Sequence, residues 1–243
     1  MASSRPAAGG GRWVWVDPVR LPRWVERFQE RHGELSVAPA EGPPAGEGEA
    51  TTGRLRLTAA DGTVAELYPA PGATGGADLP AFLADARAPR RLGLLLARRG
   101  AAALGIAQGE RLVTSKVDSW YVQSRTAAGG QSQQRYARRR ANQAAAAAGK
   151  AADLAARLLL PAAADMTVLV TGGDRRTVEE ILSDPRLRPL GALRARRHLP
   201  VPTPNLAVLR EAVSAARAVA VHLPPPGSGA GEGRHERRDG VGS

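Results

Sequence analysis

The stretch LGLLLARRGAAALGIAQGERLVTSKV, residues Leu92 to Val117, contains three runs that each have the length and composition of a β-strand. The runs are Leu92 to Ala97, Ala101 to Ala107 and Arg111 to Val117. Arg-Gly and Gln-Gly-Glu separate them, and turns this short join antiparallel neighbours. The stretch therefore predicts a meander of three strands.

Regular elements continue after this stretch. The alanine-rich run Ser132 to Leu160 predicts one helix, roughly 40 Å long at about 1.5 Å per residue. The β-branched run Met166 to Thr171 predicts a buried strand. We expect three further elements: a helix over Thr177 to Leu182, a strand over Leu193 to Val201, and a last helix from the cap Asn205 to about Val221.

The region before the meander has both strand and helix patterns. Trp13 to Val16 alternates bulky apolar residues as a strand does, and Leu21 to His32 has apolar residues at helical spacing. Arg54 to Thr58 and Val64 to Tyr68 predict a hairpin around the turn dipeptide Asp61-Gly62. A short helix is expected near Leu79 to Ala86.

The order of these elements predicts an α/β protein in which helices flank a mixed β-sheet, with an N-terminal α/β extension. Composition suggests where the domains begin and end. We expect disorder at 1–11, an N-terminal α/β region over 12–90 with a flexible loop at 38–53, a second domain over 91–222, and a disordered tail at 223–243.

The chain is strongly basic. Its 243 residues include 34 basic and 23 acidic side chains, which gives a net charge of +11 and a pI of about 11.3. This excess favours a polyanionic partner, either nucleic acid or an anionic membrane surface. Lys116 and Lys150 are the two lysines in the sequence, and the preference for arginine is typical of a GC-rich coding sequence. The excess of basic over acidic residues has no such explanation.

The composition excludes several kinds of site. The sequence has no cysteine, which removes disulfides, thiolate zinc sites and cysteine nucleophiles. The histidines are scattered without metal-ligand spacing: His32, His198, His222 and His235. The sequence has no run of about 18 uncharged apolar residues, and Met1 to Gly11 lacks the apolar core of a secretory signal. We therefore expect a soluble, cytoplasmic protein that needs no metal or other cofactor and has no membrane partner.

The segment TAAGGQSQQRYARRR, Thr126 to Arg140, contains the most informative motif. Gly129 and Gly130 provide a backbone that can approach a ligand closely, and Gln131 lies at the tip. Four arginines follow within two helical turns: Arg135, Arg138, Arg139 and Arg140. The first three share one helix face, so the helix can lie along phosphates while the tip reaches forward.

This segment resembles the GGQ loop in the middle domain of the class I translation termination factors of eukaryotes and archaea. In that family a serine, an Arg-aromatic-Ala-Arg stretch and a long helix follow the loop. The matching residues here are Gly129-Gly130-Gln131-Ser132, then Arg135-Tyr136-Ala137-Arg138 with Arg140. Val168-Leu169-Val170 with Thr171-Gly172-Gly173 resembles the strand and glycines beyond that helix. The resemblance covers about 92–222 and implies a fold like that middle domain.

Termination factors also have a codon-reading domain and a GTPase-engaging domain. The chain is too short to hold both, and 1–90 contains no codon-reading motif. The chain is therefore most similar to the release-factor-like peptidyl-tRNA hydrolases of ribosome quality control, including the actinobacterial Vms-like release factors.

This likeness implies that 91–222 is a catalytic domain whose catalytic residues are Gly129, Gly130 and Gln131. Members of the group need not place the glutamine directly after two glycines, so Gln133 and Gln134 are alternatives. RNA contacts are implied for the neighbouring arginines: Arg125, Arg135, Arg138, Arg139 and Arg140.

The expected function is codon-independent hydrolysis of peptidyl-tRNA on stalled ribosomes or large subunits. The expected partners are the ribosome, through its large subunit, and peptidyl-tRNA. The Gln131 amide would position water, its backbone N–H would stabilise the developing oxyanion, and RNA would supply the rest of the site. Two alternatives stay open: a non-catalytic ribosome- or RNA-binding protein of the same fold, and a hydrolase of free peptidyl-tRNA.

Overall fold

The computed structural model describes residues 3–7, 10–41, 52–120 and 132–225, and within 132–141 it describes the helical backbone without the side chains. The strands are β1 (Ser3–Pro6), β2 (Arg12–Val16), β3 (Leu35–Pro39), β4 (Leu55–Ala59), β5 (Val64–Tyr68), β6 (Arg91–Arg98), β7 (Ala101–Gln108), β8 (Arg111–Ser119), β9 (Val168–Gly173), β10 (Arg194–Leu199) and β11 (Val219–Leu223). The α-helices are α1 (Leu21–His32), α2 (Leu79–Arg87), α3 (Ser132–Leu158), α4 (Arg175–Leu182), α5 (Arg188–Ala192) and α6 (Leu206–Arg217). Short 3-10 helices span Leu160–Asp165 and Pro185–Leu187.

The second sheet along the chain has the strand order β10-β9-β6-β7-β8. Strands β6, β7 and β8 are antiparallel neighbours, with Leu95 opposite Leu104 and Leu104 opposite Lys116, so the predicted meander is confirmed. Strands β9 and β10 extend the sheet as parallel neighbours on the other side of β6. The sheet is therefore mixed, as the sequence predicts.

Helices cover both faces of this second sheet because its central strands β6, β7 and β9 are buried and mostly apolar on both sides. On β7, Leu104 and Ile106 pack against α3, while Ala103 and Ala107 belong to the core beneath α6. Helix α4 packs on the same face as α3. These contacts confirm the predicted α/β class, a mixed sheet flanked by helices.

The first sheet has the order β1-β2-β11-β5-β4-β3, and every neighbouring pair is antiparallel. Helices α1 and α2 bury apolar side chains, among them Phe28 and Phe82, against one face. The predicted hairpin is present as β4 and β5, and Gly62 supplies the positive φ of +83° in its turn.

The expectation that the last helix extends to about Val221 is wrong, because the end of that segment forms strand β11. Helix α6 ends at Arg217, and β11 then pairs with β2 on one side and β5 on the other. The alanine-rich sequence favours a helix locally, but Val219 and Val221 are β-branched and are buried in the core of the first sheet. The domain boundary at residue 90 stays a prediction, and β11 brings residues from beyond it into the first sheet.

Strands β1 and β3 also occur where the sequence predicts none. The expectation of disorder over 1–11 is wrong for β1, which pairs with β2 and whose Arg5 lies 4.7 Å from the Trp15 ring centroid. Strand β3 overlaps the start of the expected loop at 38–53 and pairs with β4. Its side chains are mostly exposed, so its five residues contribute little to a buried face that the sequence could indicate. The rest of that loop from 42 to 51, and the expected tail from 226 onward, lie outside the described residues.

Strand β9 passes into α4 through Gly172 and Gly173, and this turn places the first turn of α4 beside β6. A Cβ on Gly172 would lie 2.9 Å from the Leu199 carbonyl oxygen, and Gly173 has a φ of +96°. A Cβ on Gly173 would lie 2.2 Å from the Ala97 carbonyl oxygen. Glycine is therefore required here by close packing and by the backbone conformation.

In the described ranges, no helix combines the length and the apolar character needed to cross a bilayer.

Leu67→Ala tests the central packing of the first sheet. Leu67 is fully buried between Leu55 on β4 and Val221 on β11. We expect the substitution to lower the free energy of unfolding by about 2–5 kcal/mol, since it leaves a cavity in a packed core. Chemical denaturation measures this loss. Val19→Ala, at a side chain that is 61% exposed, should change it by about 0.5 kcal/mol or less. Equal effects of the two substitutions would contradict the observed packing.

Gly173→Ala tests the turn between β9 and α4. We expect it to lower the free energy of unfolding by more than about 1 kcal/mol, because alanine disfavours the positive φ and its Cβ would collide with backbone. Gly191→Ala is the matched control, since a Cβ on that glycine meets nothing within 4 Å. Thermal denaturation should rank Gly173→Ala far below both wild type and Gly191→Ala, and the reverse order would contradict the turn geometry.

Candidate nucleic-acid interface

The predicted catalytic tripeptide Gly129-Gly130-Gln131 and Arg125 lie outside the described residues. Gln133, Gln134 and the four arginines from 135 to 140 fall on the first turns of α3, where the backbone alone is described. The helix begins at Ser132, directly after Gln131, which confirms the long helix expected behind the loop. The roles given to these side chains stay predictions.

Helix α3 is held to the second sheet by its C-terminal half. Among its described side chains, Ala148 is the first that is buried, and Ala151, Ala152 and Ala155 follow. These small side chains let the helix lie close to β7, where Leu104 faces it. Sixteen residues separate Ser132 from Ala148, a rise of about 24 Å at 1.5 Å per residue. The start of the helix is therefore far from these described, buried alanines.

The other end of the segment that contains the GGQ tripeptide is fixed at β8. The Trp120 backbone N–H donates to the Gly100 carbonyl oxygen at 2.6 Å, which ties the end of β8 to the turn between β6 and β7. The Trp120 side chain is partly buried against the core beneath α3. Both attachments of the segment, β8 and α3, thus belong to one packed unit.

A cleft of about 700 Å³ lies beside Trp120. Its walls are the turn between β6 and β7, the middle of α3 and the first turns of α4. Its charged lining residues are Arg98, Arg99, Asp174, Arg176 and Glu180. Local sequence patterns indicate only a turn at Arg98-Arg99-Gly100 and predict no role for Arg176. The available signal was a pair of adjacent arginines in a tight turn between two buried strands.

Asp174 caps the N-terminus of α4. Its Oδ1 accepts hydrogen bonds from the Thr177 backbone N–H at 2.7 Å and from the Thr177 hydroxyl at 2.8 Å. These two bonds, aided by the charges of Arg98 and Arg99, hold the pKa of Asp174 below its ordinary value. The carboxylate is thus ionised near neutral pH and is committed to the helix.

The basic strand β10 makes structural contacts. Arg194 pairs with Glu179 at 2.6 Å, and Arg197 donates to the Ala218 carbonyl oxygen at 2.6 Å. His198 Nε2 lies 3.0 Å from the Gly173 carbonyl oxygen, which can only accept, so this nitrogen carries the proton. Burial, followed by the nearby charges of Arg175 and Arg194, lowers the pKa of His198 despite that hydrogen bond. This shift favours the neutral imidazole.

The described part of the chain contains no group of three or more His, Asp or Glu side chains that could hold a metal ion.

Comparisons with known proteins give one family. The family model for the Actinobacteria/chloroflexi VLRF1 release factor matches residues 90–222, which are 133 of the 243 residues. No curated protein matches the chain by sequence.

The solved structure of the archaeal translation termination factor aRF1 is similar, with 18% identity and a TM-score of 0.42 over 81% of this chain and 52% of that chain. An archaeal protein matches with 18% identity and a TM-score of 0.35 over 64% of this chain and 48% of that chain. The chain thus spans about half the length of either structure. Because the family model covers more than half of the sequence, the chain belongs to the Actinobacteria/chloroflexi VLRF1 release factor family.

Proposed function

We propose that this protein hydrolyses peptidyl-tRNA on stalled ribosomes or large ribosomal subunits, without reading a codon, and so releases the nascent chain. The observation that carries the proposal is the tripeptide Gly129-Gly130-Gln131 immediately before α3 in a chain of a release factor family. Among the described side chains of α3, the buried alanines lie more than ten residues beyond its start. This arrangement suits a tip that must reach into a narrow site.

The chemistry needs a water held against an ester carbonyl and a donor for the developing oxyanion. A glutamine amide cannot serve as a general base near neutral pH. Its oxygen can accept a hydrogen bond from the water, and the Gln131 backbone N–H can donate to the oxyanion. Gly129 and Gly130 let that backbone enter a cavity built from RNA. Ribosomal RNA and the tRNA supply the remaining groups.

Electrostatic attraction directs the tip. The net charge of +11 favours association with ribosomal RNA, and the arginines at 135, 138, 139 and 140 lie on the helix turns nearest the loop. Guanidinium groups bind phosphates through paired hydrogen bonds. Together with Arg125, these arginines guide the tip along the RNA backbone in the proposed complex.

Gln131→Ala and Gly130→Ala should each slow peptide release by about 10²-fold or more. The first removes the amide that positions the water, and the second adds a methyl group to backbone that must enter a narrow cavity. The measurement is release of a labelled nascent peptide from stalled ribosome complexes, with ribosome binding followed in parallel. Gln133→Ala and Gln134→Ala are the matched controls and should release at nearly the wild-type rate. If Gln131→Ala releases normally and a control variant does not, the catalytic glutamine is misassigned.

The same assay separates the competing functions. A non-catalytic ribosome-binding protein would bind the stalled complex and leave the peptide attached. A hydrolase of free peptidyl-tRNA would cleave equally well with and without the large subunit. The proposal requires cleavage that depends on the large subunit.

Replacing Arg135, Arg138 and Arg139 together by alanine should weaken binding to the large subunit and reduce its dependence on salt. For each phosphate that the variant no longer neutralises, the slope of log affinity against log salt should fall by about 0.7–0.9. Sedimentation with ribosomal subunits over a salt series measures this slope. The triple lysine variant keeps the charge and should retain most of the slope, whereas equal reductions for lysine and alanine would contradict binding to phosphates.

A further inference from the structure

The cleft beside Trp120 lies at an edge of the second sheet where ligands commonly bind. Strands β6 and β9 run parallel, and their carboxyl ends meet where Ala97 lies opposite Gly173. In α/β sheets the space beyond such strand ends is the usual ligand site. The cleft opens at this edge, and its volume of about 700 Å³ lies within the usual range for small-molecule sites.

Small side chains keep the cleft open. The wall formed by α3 consists of alanines: Ala144, Ala147, Ala148 and Ala151. The opposite wall includes Gly100 and Ala101 from the turn between β6 and β7. Small side chains thus bound two sides of the cleft, and apart from Ile181 the longer described side chains that line it are charged or aromatic.

Three exposed arginines line the cleft, and no described carboxylate pairs with them. Arg98, Arg99 and Arg176 line it, and none of them forms an ion pair with a carboxylate among the described residues. By contrast, Arg186 pairs with Asp153 at 2.7 Å and Arg217 with Glu110 at 3.0 Å. Guanidinium groups that gather in a cleft with no carboxylate bound to them favour an anionic ligand.

Two carboxylates also line the cleft. Asp174 is committed to the cap of α4 through its bonds from Thr177. Glu180 is exposed in the second turn of α4, and its negative charge would repel an anion in the cleft. Replacing Glu180 therefore tests whether the ligand is negatively charged, because removing the carboxylate should help an anion to bind.

Trp120 adds a flat aromatic surface to the arginines. Its side chain lines the cleft and is partly exposed. Guanidinium groups for phosphates and an aromatic ring for a base are the combination by which proteins bind single-stranded nucleic acid. Bases in a duplex are already stacked on one another, so the tryptophan selects an unpaired strand.

We propose that this cleft binds a nucleotide of single-stranded RNA, with its phosphates held by Arg98, Arg99 and Arg176 and its base stacked on Trp120. The choice of RNA rests on the proposed function. Trp120 directly precedes the segment 121–131, so the bound strand lies at the base of the segment that contains the GGQ tripeptide.

The test measures binding of the full chain to a fluorescently labelled eight-nucleotide RNA by anisotropy. The double variant Arg98→Ala/Arg99→Ala should weaken binding about tenfold and lower the salt slope by about 0.7 for each phosphate that it no longer neutralises. Arg23→Ala/Arg27→Ala, at two exposed arginines of α1, is the matched control and should bind like wild type. Glu180→Gln should tighten binding about twofold.

Variants of Trp120 test base stacking in the same binding experiment. Trp120→Ala should weaken binding about tenfold, and Trp120→Phe should retain most of it. Because Trp120 also packs on the core, thermal unfolding of both variants is measured beside their binding. A duplex of the same sequence should bind at least tenfold more weakly than the single strand.

Three outcomes overturn the proposal: unchanged binding by the Arg98/Arg99 variant, weaker binding by Glu180→Gln, or a duplex that binds as tightly as the single strand. Adenosine monophosphate that binds as tightly as the oligonucleotide would assign the cleft to a free nucleotide instead. The peptide-release assay separates this proposal from the proposed function. If the wild-type protein binds RNA through the cleft but releases no peptide, the proposed function is wrong and the cleft proposal stands. If the wild-type protein releases peptide but the Arg98→Ala/Arg99→Ala variant binds RNA as tightly as wild type, the cleft proposal is wrong and the proposed function stands.

Discussion

Alanine-mediated contact between α3 and the second sheet is the constraint on which the architecture of the candidate site depends. Ala148, Ala151, Ala152 and Ala155 are buried, so the helix axis can approach β7 closely. A larger residue at one of these positions would push the helix outward and widen the cleft beside it. The same small side chains thus fix the direction of α3 and leave open the space between α3 and α4.

The described elements that are relevant to the proposed function meet at one edge of the second sheet. Strand β8 ends there, the turn between β6 and β7 supplies Arg98 and Arg99, and α4 starts there after Gly173. The hydrogen bond from Trp120 to Gly100 ties two of these elements together. An edge tied together in this way suits the proposed function, in which the protein positions groups and RNA supplies much of the active site.

The parts of this fold that follow from local patterns were predictable from sequence. The meander from Leu92 to Val117, the hairpin around Asp61-Gly62 and the long helix from Ser132 each have a signal within a short window. Strand β11 was not predictable in this way, because its pairing with β2 and β5 is non-local and the alanine-rich sequence before it favours a helix. The proposed catalytic tripeptide was predicted from a resemblance to a family. The cleft has no local sequence signal because Arg98 and Arg176 lie 78 positions apart and meet through tertiary packing.

Strand β11 also has a consequence for biosynthesis. Val221 pairs with Val14, 207 positions earlier, and β11 separates β2 from β5 in the sheet order. While the chain is being made, β2 and β5 emerge long before the strand that must lie between them, and each keeps an unpaired backbone edge until then. Such a late, long-range closure is slow because of its entropic cost. A protein proposed to assist stalled ribosomes therefore depends, for its own first sheet, on translation that proceeds beyond Leu223.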